Sequence, residues 1–166
     1  IKSDIVKFSY MSYLVDLAKN VYKENNSSDI YDILINALLK IEDNLNPKII
    51  TNIVEIKYLT YLGVGLNLDG CSVCGLTSVV SMSYSKGGYV CINHVGKDKV
   101  MDDVTLKLFK AYYYIDISKI SELNIKEKVV NEIDHFLNIY YKEYTGLYLK
   151  SKSFLDKIKY SNHFIY

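Results

Sequence analysis

Hydrophobic residues recur every three to four positions over two stretches near the start of the chain, which is the period of an amphipathic α-helix. The first stretch, residues 4–24, predicts a helix that stops at a polar Asn-Asn-Ser-Ser turn. The second, residues 30–45, has the cleanest amphipathic pattern in the chain, and Ser27 or Ser28 is a natural N-cap before it. The pattern therefore predicts two helices joined by a short turn.

A third helix is predicted directly after the second. Asn46 can cap it, and Pro47 suits the first helical position, where its missing N–H is not needed. The apolar positions continue to Leu62, and Gly63 fits a C-terminal stop.

Helical period is lost over about residues 65–97. Gly63, Gly65 and Gly70 loosely resemble a phosphate-binding loop, but no strand precedes them and no Lys-Ser or Lys-Thr follows, so we interpret them as a helix stop and a connection. Residues 78–84 alternate and are rich in β-branched side chains, residues 85–88 form a turn, and Tyr89 and Val90 continue beyond it. This pattern predicts a short β-hairpin.

Helical period returns in the second half of the chain. Asp102 and Asp103 can begin a helix that runs to Ile115, and a second helix covers residues 129–141, with Gly146 as its stop. The tail from Leu147 is basic and fits no single element. The predicted fold class is mainly α: one helical domain over residues 1–166, interrupted at about residues 65–97 by a small loop with a short β-hairpin.

The interrupting loop contains all three cysteines of the chain. Cys71 and Cys74 are spaced by two residues, and so are Cys91 and His94, with sixteen residues between the pairs. Thiolates and imidazole at this spacing predict a four-ligand zinc site. Four protein ligands leave no open position for water, so we expect structural zinc and no catalysis.

Other chemistry remains open at the same residues. Cys71 and Cys74 could form a redox pair, although the usual βαβ context is missing, and the site could also be a relic that has lost its metal. Iron–sulfur clusters usually need four thiolates, and only three are present. Because no Ser-His-Asp pattern or paired carboxylates stand out, we expect a protein that is not an enzyme.

The composition of the chain gives little support for strong electrostatic binding of nucleic acid. The chain has a formal net charge of +1, and all 20 of its basic residues are Lys. The absence of Arg and the abundance of Ile, Asn, Lys and Tyr indicate an AT-rich coding bias. The tyrosine clusters at residues 112–114 and 140–148 could stack bases, but this bias and helix packing explain them as well. The phosphate-contact candidates are five lysines near the loop and in the tail: Lys86, Lys97, Lys99, Lys150 and Lys152.

Location follows from two simple features. No apolar run approaches the length of a membrane span, which is about 18 residues, so no membrane partner is expected. The odd number of cysteines, clustered in one motif, argues against a disulfide framework and for the reducing cytoplasm.

Several of these features together resemble one family. Four segments carry the likeness: residues 58–63 (Tyr-Leu-Thr-Tyr-Leu-Gly), the cysteine pair followed by Gly75, a serine-rich hairpin with two glycines before Cys91, and the closing segment 149–155 (Leu-Lys-Ser-Lys-Ser-Phe-Leu). Together they resemble the C-terminal part of RecO, a bacterial recombination-repair mediator. The likeness runs over nearly the whole chain.

The resemblance implies a non-enzymatic function and a set of partners. RecO proteins bind single- and double-stranded DNA, anneal complementary strands, and work with RecR to load RecA onto strands coated by single-strand-binding protein, whose C-terminal tail docks on the helical domain in some relatives. In the family an N-terminal OB-fold precedes this domain, and nothing in the chain resembles that barrel. The implied location is the cytoplasm, in association with the nucleoid.

Two positions depart from the family pattern. His94 stands where zinc-bearing members usually have Cys. Relatives often use Arg for their basic residues, whereas this chain uses only Lys. Lys cannot grip a phosphate through two parallel hydrogen bonds, so weaker and more salt-sensitive contacts are expected. The near-neutral charge leaves an alternative function open, a zinc-stabilised protein–protein adaptor that does not bind DNA.

Overall fold

The computed structural model describes residues 2–163. Six helices and one two-stranded antiparallel sheet make up the described chain. In order they are α1 (Lys2–Glu24), α2 (Asp29–Glu42), α3 (Pro47–Tyr61), β1 (Ser81–Ser83), β2 (Gly88–Val90), α4 (Asp103–Tyr114), a short 3-10 helix (Ile117–Lys119), α5 (Glu127–Tyr144) and α6 (Lys150–His163). The mainly helical fold with a small hairpin is as predicted.

Helix α3 is the centre of the fold. It packs against α1, α2, α4 and α5, and nearly all of its side chains between Ile49 and Leu59 are buried. A helix whose side chains are buried on every face must be surrounded by other parts of the fold. The remaining helices therefore form a shell, in which α1 packs against α6 and α4 packs against α5.

The predicted signals at the ends of α2 and α3 are largely confirmed. The Asn46 side chain accepts hydrogen bonds from the backbone N–H groups of Lys48 and Ile49, and Pro47 opens the helix. Gly63 ends it with a φ of 77°. Helix α2 stops three residues earlier than predicted, because Asn44 adopts a left-handed conformation with a φ of 66°.

The N-cap positions predicted for α2 and α4 are confirmed. The side chains of Ser28 and Asp102 precede α2 and α4 but accept no capping hydrogen bond. The hydroxyl of Ser27 instead accepts a bond from the N–H of Asp29, at 3.3 Å.

The basic tail, which fits no single element in the sequence, is helix α6. It lies against α1, and its Leu155 is fully buried in the common core. Gly146, with a φ of 67°, lies in the turn between α5 and α6. Among residues 2–163, no helix combines the length and the apolar character needed to cross a membrane.

Candidate metal centre

The hairpin attaches the metal loop to the helices. Met82 and Tyr89, on opposite strands, belong to the main hydrophobic core, and the Tyr89 hydroxyl donates a hydrogen bond to the backbone carbonyl of Leu106 in α4. Beside the strands, the ring of Tyr84 stacks on Phe136 of α5 at a centroid distance of 4.5 Å. The hairpin is therefore part of the helical domain.

The backbone holds each ligand pair in a tight turn. The N–H of Gly75 donates to the carbonyl of Cys71, and the N–H of His94 donates to the carbonyl of Cys91. The N–H of Cys71 also donates to the carbonyl of Leu76, which closes the first turn. Each turn therefore places its two ligands on one side of the chain.

Two glycines are required where backbones meet. A Cβ added to Gly88 would lie 2.7 Å from the backbone nitrogen of Asn67, and one added to Gly70 would lie 2.7 Å from the carbonyl oxygen of Gly75. Asn67 exchanges backbone hydrogen bonds with Gly87 and Tyr89, which bring the connection after α3 alongside β2. These contacts fix the first ligand pair relative to the second.

The four predicted ligands lie together. One side-chain ligand atom from each of Cys71, Cys74, Cys91 and His94 lies within 4.8 Å of all the others. The Cys74 and Cys91 sulfurs are 3.7 Å apart, and the His94 Nδ1 atom is 3.2 Å from the Cys91 sulfur and 3.6 Å from the Cys71 sulfur. A zinc–sulfur distance of about 2.3 Å gives tetrahedral edges of about 3.8 Å, so the donor set fits a tetrahedral metal ion.

His94 faces the cluster through Nδ1, which leaves Nε2 on the far side of the ring. The Lys86 ammonium donates a hydrogen bond to the backbone carbonyl of His94 and so ties the tip of the hairpin to the second ligand turn. Lys86, a predicted phosphate contact, therefore also has a structural role.

The local backbone favours an ionised sulfur at Cys71. Burial opposes ionisation of this thiol, but the N–H groups of Cys74, Cys91 and Val73 donate to its sulfur, and the pKa of Cys71 falls to about 5. At Cys74 the Leu76 N–H works to lower the pKa, but burial and the neighbouring thiols outweigh it, and the pKa is raised. The protein thus presents a thiolate to a cation at neutral pH.

The other lysines proposed from the sequence divide into two groups. Lys97 and Lys99, beyond the second ligand turn, and Lys150, at the start of α6, are exposed and form no ion pair within the described part of the chain. Lys152 departs from the expected surface position. Its Nζ lies 3.2 Å from Asp156 and 5.2 Å from the centre of the Tyr13 ring, and only 22% of its side chain is exposed.

A buried polar layer next to Lys152 has no clear signature in the sequence. The Glu55 carboxylate, on α3, accepts hydrogen bonds from Tyr13 and Asn52. Burial raises the pKa of Glu55, and the ammonium groups of Lys152 and Lys159 oppose that rise. The one available hint was an acidic residue between the apolar residues Val54 and Ile56 of this helix, since a buried acid needs a partner.

Asp134 of α5 completes this layer. It accepts a hydrogen bond from Asn52 at 2.9 Å and lies 3.7 Å from the ammonium of Lys48 and 3.5 Å from that of Lys159. The layer therefore joins α3, α5 and α6 through charge, and its lysines are held within the fold.

Fold and site together define a helical domain interrupted by a loop whose three Cys and one His could hold a metal ion. The family model for the C-terminal part of recombination protein O matches residues 2–153. The chain belongs to the RecO family.

Curated relatives named DNA repair protein RecO match over most of the chain. The one from Streptococcus agalactiae is 35% identical over 165 residues, which cover 95% of this chain and 64% of that protein. Those from Bacillus cytotoxicus and Bacillus subtilis are 29% and 28% identical, and the matches cover 95% and 98% of this chain. The chain spans 66% of the length of each of these two relatives. No solved structure matches the chain significantly.

Proposed function

We propose that this chain is the C-terminal helical and zinc-binding domain of a recombination mediator. In this function it binds single- and double-stranded DNA, promotes annealing, and acts with RecR to load RecA onto strands coated by single-strand-binding protein. The third of the relatives' length that the chain does not span would contain the family's N-terminal OB-fold. The expected location is the cytoplasm, at the nucleoid.

The family match over residues 2–153 is the observation that carries this proposal. The ligand cluster supports it, because a metal loop packed on α4 and α5 can give a DNA-binding surface a fixed shape. Zinc would be structural, held by Cys71, Cys74, Cys91 and His94. Backbone phosphates would meet Lys86, Lys97 and Lys99 around the loop and Lys150 on α6.

Metal analysis of the purified protein tests the zinc site. We expect close to one zinc per chain, and we expect Cys91→Ser to lose zinc and to melt at a lower temperature, because metal binding contributes directly to folding. A protein without zinc, and a Cys91→Ser variant that melts like wild type, would contradict the site. His94→Cys is the matched variant and should keep the metal.

Binding to single-stranded DNA at several salt concentrations tests the main function. Lysine–phosphate contacts predict affinity that falls steeply as salt rises, with a smaller slope once Lys97 and Lys99 are replaced by Gln. The Lys107→Gln variant is a suitable control, because Lys107 is an exposed lysine on α4 that pairs with Asp103. Affinity that does not depend on salt would argue against phosphate contacts.

A second function, a zinc-stabilised adaptor that binds only proteins, is favoured by the charge distribution. The chain has a net charge of +1, and two of the five candidate lysines, Lys86 and Lys152, are engaged within the fold. Pull-down with RecR and with the C-terminal tail of single-strand-binding protein, run beside the DNA assay, separates the two functions. Protein binding without DNA binding at low salt would select the adaptor.

A further inference from the structure

A pocket of about 430 Å³ lies between α1, α5, α6 and the turn that joins α5 to α6. Tyrosines make up much of its lining. Tyr13 and Tyr141 are buried, and both donate hydroxyl hydrogen bonds to Glu55, at 3.3 Å to its carboxylate and 2.6 Å to its backbone carbonyl. These two rings are therefore fixed in place.

Two further tyrosines of the pocket are exposed. Tyr148 is 84% exposed and Tyr160 is 68% exposed. Leu147 and Leu149 pack against the core on either side of Tyr148, whose own ring lies in solvent. Large exposed aromatic rings around one pocket are typical of a binding surface, whereas isolated exposed residues are not.

The charge around the pocket is positive. Residues 142–159 contain five lysines and two acidic residues, a net charge of +3, whereas the whole chain has +1. One of those acids, Asp156, is paired with Lys152. Three lysines are exposed and have no carboxylate partner in the described part of the chain: Lys142, Lys150 and Lys157.

Helix geometry places these lysines near the pocket. Lys142 lines it directly. On α6, Lys150 lies three residues before Ser153 and Lys157 lies four residues after it, and Ser153 also lines the pocket. Lys150, Ser153 and Lys157 therefore project from one side of α6. A ligand with aromatic surface and repeated negative charge suits this arrangement.

We propose that this tyrosine pocket binds single-stranded DNA: an unpaired base stacks on Tyr148 and Tyr160, and Lys142, Lys150 and Lys157 contact the adjacent phosphates. Aromatic stacking beside cations is how proteins hold single strands without reading sequence. A duplex offers no unpaired base to the rings, so the pocket distinguishes single strands from double strands. The inference rests on the proposed DNA binding and adds a base-stacking surface, between α5 and α6, to the phosphate contacts around the loop and at Lys150.

The test measures binding of fluorescein-labelled oligothymidylate to the chain by anisotropy, with a duplex of equal length in parallel. We expect Tyr148→Ala and Tyr160→Ala each to weaken single-strand binding by about 5- to 100-fold and to affect duplex binding little. Tyr148→Phe keeps the aromatic face and should bind within about twofold of wild type. Tyr31→Ala is the matched control, because Tyr31 is 43% exposed on α2, outside both tyrosine clusters and away from the pocket.

A spectroscopic readout supports the affinities. The chain contains no tryptophan, so Tyr148→Trp introduces a single indole. If a base stacks on this indole, the fluorescence of the indole should be quenched. Failure of the wild-type chain to bind either oligonucleotide would overturn the proposed DNA binding together with this inference. Normal single-strand binding by both alanine variants would overturn only the assignment of DNA to this pocket. The same conclusion would follow if Tyr148→Ala lost binding of an acidic peptide to the pocket but kept its affinity for single strands.

Discussion

Replacing Lys152 by alanine should destabilise the protein, whereas the same change at Lys150, two residues earlier on the same helix, should not. Lys152 is mostly buried, pairs with Asp156 and lies over the Tyr13 ring, whereas Lys150 is exposed. The pKa of Lys152 is raised, because the carboxylates of Glu55 and Asp156 outweigh the effect of burial.

The expected loss of stability in Lys152→Ala depends on which charges remain buried without a partner. Removing one partner of a buried ion pair costs about 3–5 kcal/mol, because the other charge stays buried without compensation. Here Lys159 still acts on Glu55, and Asp156 is 40% exposed, so part of that cost is avoided. We expect a loss of about 2–4 kcal/mol for Lys152→Ala, and about 0.5 kcal/mol or less for Lys150→Ala.

Thermal melting at neutral pH measures both variants. The expected fall in Tm is roughly 4–16 °C for Lys152→Ala and about 2 °C or less for Lys150→Ala. Lys152→Met keeps an apolar stem and loses only the charge, so it separates packing from electrostatics. Equal Tm values for the two alanine variants, with Lys152→Ala alone losing DNA affinity, would show that Lys152 serves DNA and would refute its structural role.

Three more outcomes follow from the loop and the polar layer. Chelation with EDTA should lower Tm and change the near-ultraviolet circular dichroism of the hairpin tyrosines, and added zinc should restore both. Gly88→Ala should cost about 3 kcal/mol in urea unfolding, because it separates Asn67 from β2, whereas Gly96→Ala, with no atom within 4 Å, should cost about 1 kcal/mol. Burial works to raise the pKa of Asp134, but Lys159, Asn52 and Lys48 outweigh burial, and the pKa is lowered. The ionised Asp134 therefore stabilises the fold fully above about pH 4, and this stabilisation is lost as the pH falls through the folded pKa. In acid unfolding, Asp134→Asn should lack this pH-dependent loss of stability.

Local sequence determines much of what could be predicted. Asn46 and Pro47 act within one helical turn, and the paired spacing of the four metal ligands needs only two tight turns and a hairpin. Such features depend on residues close together in the chain, so periodicity and spacing are enough to find them.

Contacts between distant residues could not be predicted in the same way. Lys152 and Lys150 look alike in a basic segment, and only the packing of α6 on α1 places one inside and leaves the other in solvent. Likewise, Tyr141 and Tyr148 belong to the same cluster in the sequence, yet one supports the core and the other is exposed. The metal loop is local in sequence, but its attachment through Tyr89 and Leu106 is not.

The position of α6 has a consequence for biosynthesis. This helix follows all its partners in the chain, and it carries Lys152 and Lys159, which compensate Glu55 and, together with Lys48 of α3, Asp134. A nascent chain that has emerged from the ribosome only as far as α5 therefore holds two acids that its apolar surroundings disfavour. Stable closure of the bundle must wait until α6 emerges, and a product truncated at residue 149 should be a substrate for cellular proteases.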